Sequence, residues 1–246
     1  MKSVSTTIRK WSIGFLIFAT AGILLGGCRK SDDDYDDVPS AGLMAFNLSP
    51  DKSAIGIALS GNSISSSPLN YTAFTGQYIN IYTGNRTIEG FDYNSNTPFT
   101  NSNFNFEPDK YYSLFIVGAD TTHQNIVVTD NFDSLSATNG KAYIRYINAI
   151  PDSTQPLVKI SGGGSDIFNQ AAAFASVSQF SEVAPGSVSI NISNNGNINA
   201  NRNIDLATGK AYTVLFIGKP GESNNEQAVQ IKFIENGTLS DSTSGN

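Results

Sequence analysis

The chain matches itself once, at a spacing of about 100 residues, and no other feature limits its possible folds so tightly. Phe46-Asn47-Leu48-Ser49-Pro50-Asp51 returns as Ile147-Asn148-Ala149-Ile150-Pro151-Asp152, and Tyr71-Thr72-Ala73-Phe74 as Ala171-Ala172-Ala173-Phe174. Gly84 has a counterpart in Gly186. Asp109-Lys110-Tyr111-Tyr112-Ser113-Leu114-Phe115-Ile116-Val117-Gly118 returns as Gly209-Lys210-Ala211-Tyr212-Thr213-Val214-Leu215-Phe216-Ile217-Gly218. Order and spacing are both kept. Solenoid repeats run at about 20 to 50 residues, so a period this long means tandem domains.

Each unit reads as short strands. Ala142 to Ile147, Pro156 to Ser161 and Gly186 to Ile192 carry β-branched and aromatic residues between turn signals. In the last, Val188, Ile190 and Ile192 point one way and Ser187, Ser189 and Asn191 the other, the pattern of a strand with one buried face. Leu114 to Val117 and Val214 to Ile217 are apolar on both faces, as a central strand requires. Asn194-Asn195-Gly196, Gly162-Gly163-Gly164 and Thr83-Gly84-Asn85 supply turn chemistry. Residues 170–180 read either as strand and loop or as a short helix. The fold expected is all-β: two tandem antiparallel β-sandwiches of immunoglobulin/transthyretin-like type, over 41–138 and 139–240, with a tail at 241–246.

Three of these elements carry a family resemblance. Asn-x-x-Pro-Asp after the first strand, a middle Gly hairpin, and the Lys-x-Tyr-(Ser/Thr) segment ending in Gly118 or Gly218 resemble the bacterial domain-of-unknown-function family 4397. The resemblance covers nearly all of residues 41 to 240 as two copies and implies a sandwich fold in an extracellular setting. It implies no catalytic residues. Asn47, Asn148, Asp51 and Asp152 are therefore read as turn formers, because Asn and Asp brace turns through their own side chains.

The first residues address the chain. Met1 to Trp11 carries Lys2, Arg9 and Lys10 without an acid, and Ile13 to Leu25 is a short apolar run, so residues 1–27 have the shape of a secretory signal. The run is shorter than the ~20 apolar residues a membrane-spanning helix needs. Leu25-Gly26-Gly27-Cys28 resembles the bacterial lipobox, which implies cleavage before Cys28 and covalent lipid on it; no cofactor is expected. Residues 28–40 form an acidic tether, in which Lys30, Ser31, Asp32, Asp33 and Asp34 resemble the surface-export signal of Bacteroidota-type lipoproteins. The expected location is the outer membrane, lipid-anchored and facing the exterior.

Removal of residues 1–27 takes three positive charges and lowers the formal net charge from −6 to −9. Such an acidic chain excludes a nucleic-acid partner, whose phosphates demand a basic footprint. No Gly-rich phosphate loop precedes a helix, which disposes of nucleotide binding by that route. With one Cys and one His in the chain, zinc has no ligand set, and the acids of Asp130 to Asp133 and Asp32 to Asp37 lack calcium-loop spacing. His123 reads as a solvated loop residue, and no nucleophile elbow or matched acid pair accompanies it. The expectation is a non-enzymatic interaction or structural module with an extracellular protein or glycan partner. The alternative is a glycan-binding accessory of a nutrient-uptake system.

Two further residue sets bear on that choice. Phe91, Tyr93, Phe99 and Phe104, with Phe106, occur only in the first copy. They either form a stacking platform for a ligand or fill the first sandwich's core. Asp120-Thr121-Thr122, Asp133-Ser134-Leu135, Asp152-Ser153-Thr154 and Asp241-Ser242-Thr243 resemble the Bacteroidota-type O-glycosylation acceptor, which marks Thr121, Ser134, Ser153 and Ser242.

Overall fold

The computed structural model describes residues 38–152, 154–224 and 226–240. β-Branched and aromatic runs cut by Gly, Asn and Ser turns make strands throughout, with no α-helix among the described residues. The first copy carries β1 (Ser40–Asn47), β2 (Ala54–Leu59), β3 (Asn62–Ser63), β4 (Leu69–Asn70) and β5 (Ile79–Tyr82). It continues with β6 (Gly84–Asp92), β7 (Thr97–Phe106), β8 (Tyr111–Val117) and β9 (Gln124–Thr129). A 3-10 turn at Phe132–Ser134 leads to β10 (Ala142–Asn148), β11 (Leu157–Gly162), β12 (Ser165–Ala171) and β13 (Ser181–Val183). Then follow β14 (Gly186–Ser193), β15 (Asn199–Leu206), β16 (Lys210–Ile217) and β17 (Gln230–Thr238). The segment 170–180 is the end of β12 and an irregular stretch before β13.

Each copy folds as two facing sheets. The orders are β5-β1-β8-β9 and β3-β2-β6-β7 in the first, with β4 pairing β2, and β13-β10-β16-β17 and β12-β11-β14-β15 in the second. Between the facing sheets of the first copy lie Leu43, Ile57, Ile88, Leu114 and Ile116, and between those of the second Ile144, Ile160, Ile190, Val214 and Phe216. The alternation read in the sequence is realised on β14: Val188, Ile190 and Ile192 are fully buried while Ser187 and Ser189 are exposed. Each such buried side chain contributes about 1.5–3 kcal/mol relative to exposure.

The sheets containing β1 and β10 are mixed, not wholly antiparallel: β1 runs parallel to β8 and β10 parallel to β16. The chain leaves β1 for the opposite sheet and returns beside it in the same direction, and such a parallel pair requires a long crossover.

A third core lies outside both sandwiches. Phe46, Leu48, Phe115 and Val117 of the first copy pack in one cluster with Ile147, Ala149, Leu215 and Ile217, their counterparts in the second. The same positions from both copies meet, as in an isologous interface. This accounts for the doubly apolar runs. Leu114 and Ile116 face inward while Phe115 and Val117 face the other copy. The result is a stack of four sheets around three cores.

The repeated motifs have local reasons. Asn47 is fully buried; its Nδ2 donates to the Lys52 and Leu69 carbonyls at 2.9 and 3.0 Å, and its Oδ1 accepts from Ser49 N at 3.2 Å. Asn148 likewise donates to the Ala172 carbonyl at 2.9 Å and accepts from Ile150 N at 3.1 Å. Gly118 and Gly218, which close the repeated strand, have φ of +108° and +106°. A Cβ there would lie 2.4 Å from the Thr122 carbonyl oxygen and 2.3 Å from that of Ala228. Only glycine fits both the conformation and the approach.

Candidate functional site

The strand AYIRYIN (β10) is buried along its whole length and yet contains Arg145. The register explains the position: Arg145 faces Thr213 as Met44 faces Ser113, so a cation stands where the first copy has a thioether. Its Nη1 donates to Asp130 Oδ1 at 2.5 Å, Nη2 to Ser113 Oγ at 2.9 Å and Nε to Thr213 Oγ1 at 2.9 Å. Asp130 Oδ2 also accepts from Ser113 Oγ at 2.7 Å and from Tyr78 Oη at 2.5 Å. The guanidinium carbon sits 4.4 Å from the centre of the Phe180 ring, a cation–π arrangement.

Asn236 completes the network. It follows Glu235, which pairs with Tyr212, and precedes Gly237, which pairs with Ala211, so it is the extra residue of a β-bulge. Bulges re-aim a side chain. Here Asn236 Oδ1 accepts from Thr213 Oγ1 at 2.6 Å, and Nδ2 donates to Tyr78 Oη at 3.3 Å. Arg145 and Asp130 are each 2 % exposed. A buried pair survives in this setting because each guanidinium nitrogen and both carboxylate oxygens have a hydrogen-bond partner. Tyr78 and Asp130 belong to the first copy and Arg145 and Asn236 to the second, so the network ties the copies together in one register. Burial, reinforced by the Asp130 carboxylate, pushes the Tyr78 phenol well above the ordinary range.

Beside this centre a cleft of about 550 Å³ opens to solvent. Its walls include Tyr78, Tyr111, Phe132, Asp133, Gly237 and Thr238. Tyr111 lies across Gly42, its partner on β1, where a Cβ would come 2.5 Å from Tyr111 Cδ1. The glycine therefore lets the ring lie down. Tyr78 meets Tyr111 edge-on at 5.1 Å between centroids, and Phe132 is 5.8 Å from each. Tyr111 remains 48 % exposed.

The residues singled out in the sequence are dispersed. Phe99 and Phe104 pack against the core of the first sandwich, and Phe104 meets Phe106 and Tyr112 at 4.9 and 5.5 Å. Phe91 covers Gly56 of the neighbouring strand, while Tyr93 is 41 % exposed at the β6–β7 turn. Thr121 and Ser134 are exposed, the latter donating to the Asn131 carbonyl at 2.7 Å. Cys28, Lys30, Ser31, Asp32, Asp33, Asp34, Ser153 and Ser242 lie outside the described residues. His123 corrects the expectation of a solvated residue. Its side chain is 3 % exposed, because Nε2 bonds Asp51 Oδ1 at 2.9 Å and the ring packs on Phe99 at 4.8 Å. Asp51 braces the same loop through Asp120 N at 3.1 Å, so the aspartate acts as a turn former across the copy rather than within its own turn.

Sequence reasoning did not single out Arg145, Tyr78, Tyr111 or Asn236. One signal was legible: a lone charge inside an otherwise apolar strand, at a repeat position occupied by Met44 in the other copy. Among the described residues, no cluster of three or more His, Cys, Asp or Glu could hold a metal ion, and no helix is long and apolar enough to cross a membrane.

Fold and site thus define a tandem β-sandwich protein whose two copies share a core. The chain belongs to the family named as a domain of unknown function, DUF4397, which matches residues 41–161 and 142–246. The first match runs into β10 and β11, which the sheets assign to the second copy. No curated protein matches the chain. Among solved structures it is similar to a proposed cell adhesion protein from Bacteroides eggerthii, at 9 % identity and a TM-score of 0.25, covering 80 % of this chain and 95 % of that one. The family 26 carbohydrate-binding module of Eubacterium rectale Amy13K, in complex with maltoheptaose, is as distant, with 12 % identity, a TM-score of 0.23 and coverage of 82 % and 98 %. A proposed cell adhesion protein from Bacteroides uniformis gives 11 %, 0.24, and coverage of 82 % and 99 %.

Proposed function

We propose that the protein is a lipid-anchored module of the outer cell surface that acts by binding rather than by catalysis. What supports the binding role is the shared third core with its buried Arg145–Asp130 key. Two sandwiches joined in this way form one stiff block, which suits a scaffold that presents surface to a partner. The leader adds the address: Cys28 as the acylated residue, and Lys30 to Asp34 as the export signal on a tether. More than one acyl chain is needed for stable anchoring, at about 0.8 kcal/mol per buried methylene. Loops bearing Thr121 and Ser134 are exposed and open to an added sugar.

Two measurements test the reading. Intact mass of the protein from its native membrane is expected to show a chain beginning at Cys28 with covalent lipid. Protease added to intact cells is expected to degrade it. A protein that resists until the cells are broken is not displayed, and a mass showing residues 1–27 retained removes the anchor.

A further inference from the structure

The geometry points to the cleft between the two copies as a binding site for a neutral oligosaccharide, which deepens the proposed surface-binding role and rests on it. Clefts at the junction of domains are favoured places for ligands, with apolar walls and a few polar groups to orient what binds. Here the floor is the exposed face of Tyr111, laid flat by Gly42, and the facing wall is backbone and hydroxyls at the end of β17. A Cβ at Gly237 would meet nothing within 4 Å, so that wall is open.

The class of ligand follows from what the cleft can and cannot satisfy. Three aromatic rings with an acid nearby could suggest a cage for a quaternary ammonium group. The rings are too close for that: at 5.1–5.8 Å between centroids they pack on one another and leave no space for a cation among them. A polyanion is disfavoured as well. Lys110, the cation beside the cleft, lies 3.8 Å from Asp133, which is itself a cleft wall and largely exposed. What remains is one ring face for C–H stacking, ringed by uncommitted hydrogen-bonding groups. Tyr111 Oη and the hydroxyls of Thr238 and Ser240 have no hydrogen-bond partner among the described residues, and Thr238 and Ser240 are exposed. A pyranose ring presents this pairing, an apolar face and a hydroxylated rim. Tyr78 offers only its ring, because its hydroxyl is held by Asp130, and the same bond holds the wall rigid. A pre-formed site limits the ordering cost of binding.

The test is an array of immobilised neutral oligosaccharides (glucans, xylans, mannans and galactans) with heparin and polygalacturonate as polyanions, followed by calorimetry on the best ligand. The expected result is binding to at least one neutral class in preference to both polyanions. Tyr111→Ala should weaken it by about tenfold or more, as should Gly237→Phe, which fills the cleft from the opposite wall. Tyr82→Ala, an exposed ring elsewhere on the surface, should leave it within about twofold. Circular dichroism confirms that each variant folds, and should Gly237→Phe fail to, Tyr111→Ala alone decides. The proposal is overturned if no neutral oligosaccharide binds, if the polyanions bind better, or if Tyr111→Ala leaves affinity unchanged. Such a result leaves surface display intact, whereas failure of the protease experiment would remove display and leave sugar binding standing.

Discussion

Replacing Arg145 by Met tests whether the buried pair is the key that registers the two copies. Methionine is the residue the first copy carries at this place, Met44, which is itself 2 % exposed, so the volume is acceptable to a buried site of this shape. What the substitution leaves behind is Asp130, buried and retaining only Ser113 and Tyr78 as donors. Removing one partner of a buried pair costs about 3–5 kcal/mol, chiefly through the uncompensated charge. For a chain of this size that is roughly 6–20 °C in Tm. Adding Asp130→Asn should restore most of the loss. It removes the stranded charge and copies the second copy's own solution, since Asn236 holds the position equivalent to Asp130. Urea unfolding followed by circular dichroism gives the four stabilities of the cycle, with an expected coupling of about 2 kcal/mol or more. If Arg145→Met costs less than about 1 kcal/mol, or the two changes simply add, the pair is no key and the apolar third core sets the register unaided.

Gly118→Ala and Gly218→Ala should each destabilise by about 2 kcal/mol or more, since both the positive φ and the adjacent carbonyl oppose a side chain; an unchanged urea midpoint would refute the account of the repeated glycine. Gly42→Ala should shift the Tyr111 ring, seen as changed Tyr111 resonances while the melting temperature falls only modestly, and unmoved resonances would mean the ring does not depend on that glycine. Burial holds Tyr71 and Tyr78 protonated above their ordinary value of 10.0. Unfolded phenols ionise near that value and the folded ones do not, so stability is intact below about pH 10 and declines as pH rises beyond it. Tyrosinate absorbance should therefore rise in a cooperative step together with loss of sheet signal; smooth ionisation of every tyrosine with the sheets retained would contradict this.

Much of the molecule could be read from local pattern. The two copies, the strands at Ala142, Leu157 and Gly186 and the turns at Gly163 and Asn195 follow from period-two alternation and turn chemistry, which depend on near neighbours in the chain. The Asn47 and Asn148 braces were legible for the same reason. The parallel pairing of β1 with β8 was not, because it joins residues separated by two sheet crossings and no local period encodes it. Nor was the fate of the aromatic group: Phe99 and Phe104 turn toward the core, and a run of residues does not say which face of a strand is covered once a bulge, as between Gly90 and Phe91, resets the alternation. His123 reached Asp51 across 72 residues, a contact set by where two loops end.

The amino-acid sequence by itself determined an all-β chain in two copies, an acidic character, and the glycines and asparagines that each turn requires. Those are consequences of side-chain shape, charge and short-range backbone geometry. Only the tertiary structure decided that the copies share a core, and so why Leu114 to Val117 and Val214 to Ile217 are apolar on both faces. It also decided that Arg145, Asp130, Tyr78 and Asn236 meet, and that Tyr111 and Gly237 face a common cleft. Charge pairing and ring stacking act over a few ångströms in space, and folding alone brings those distant segments within that range.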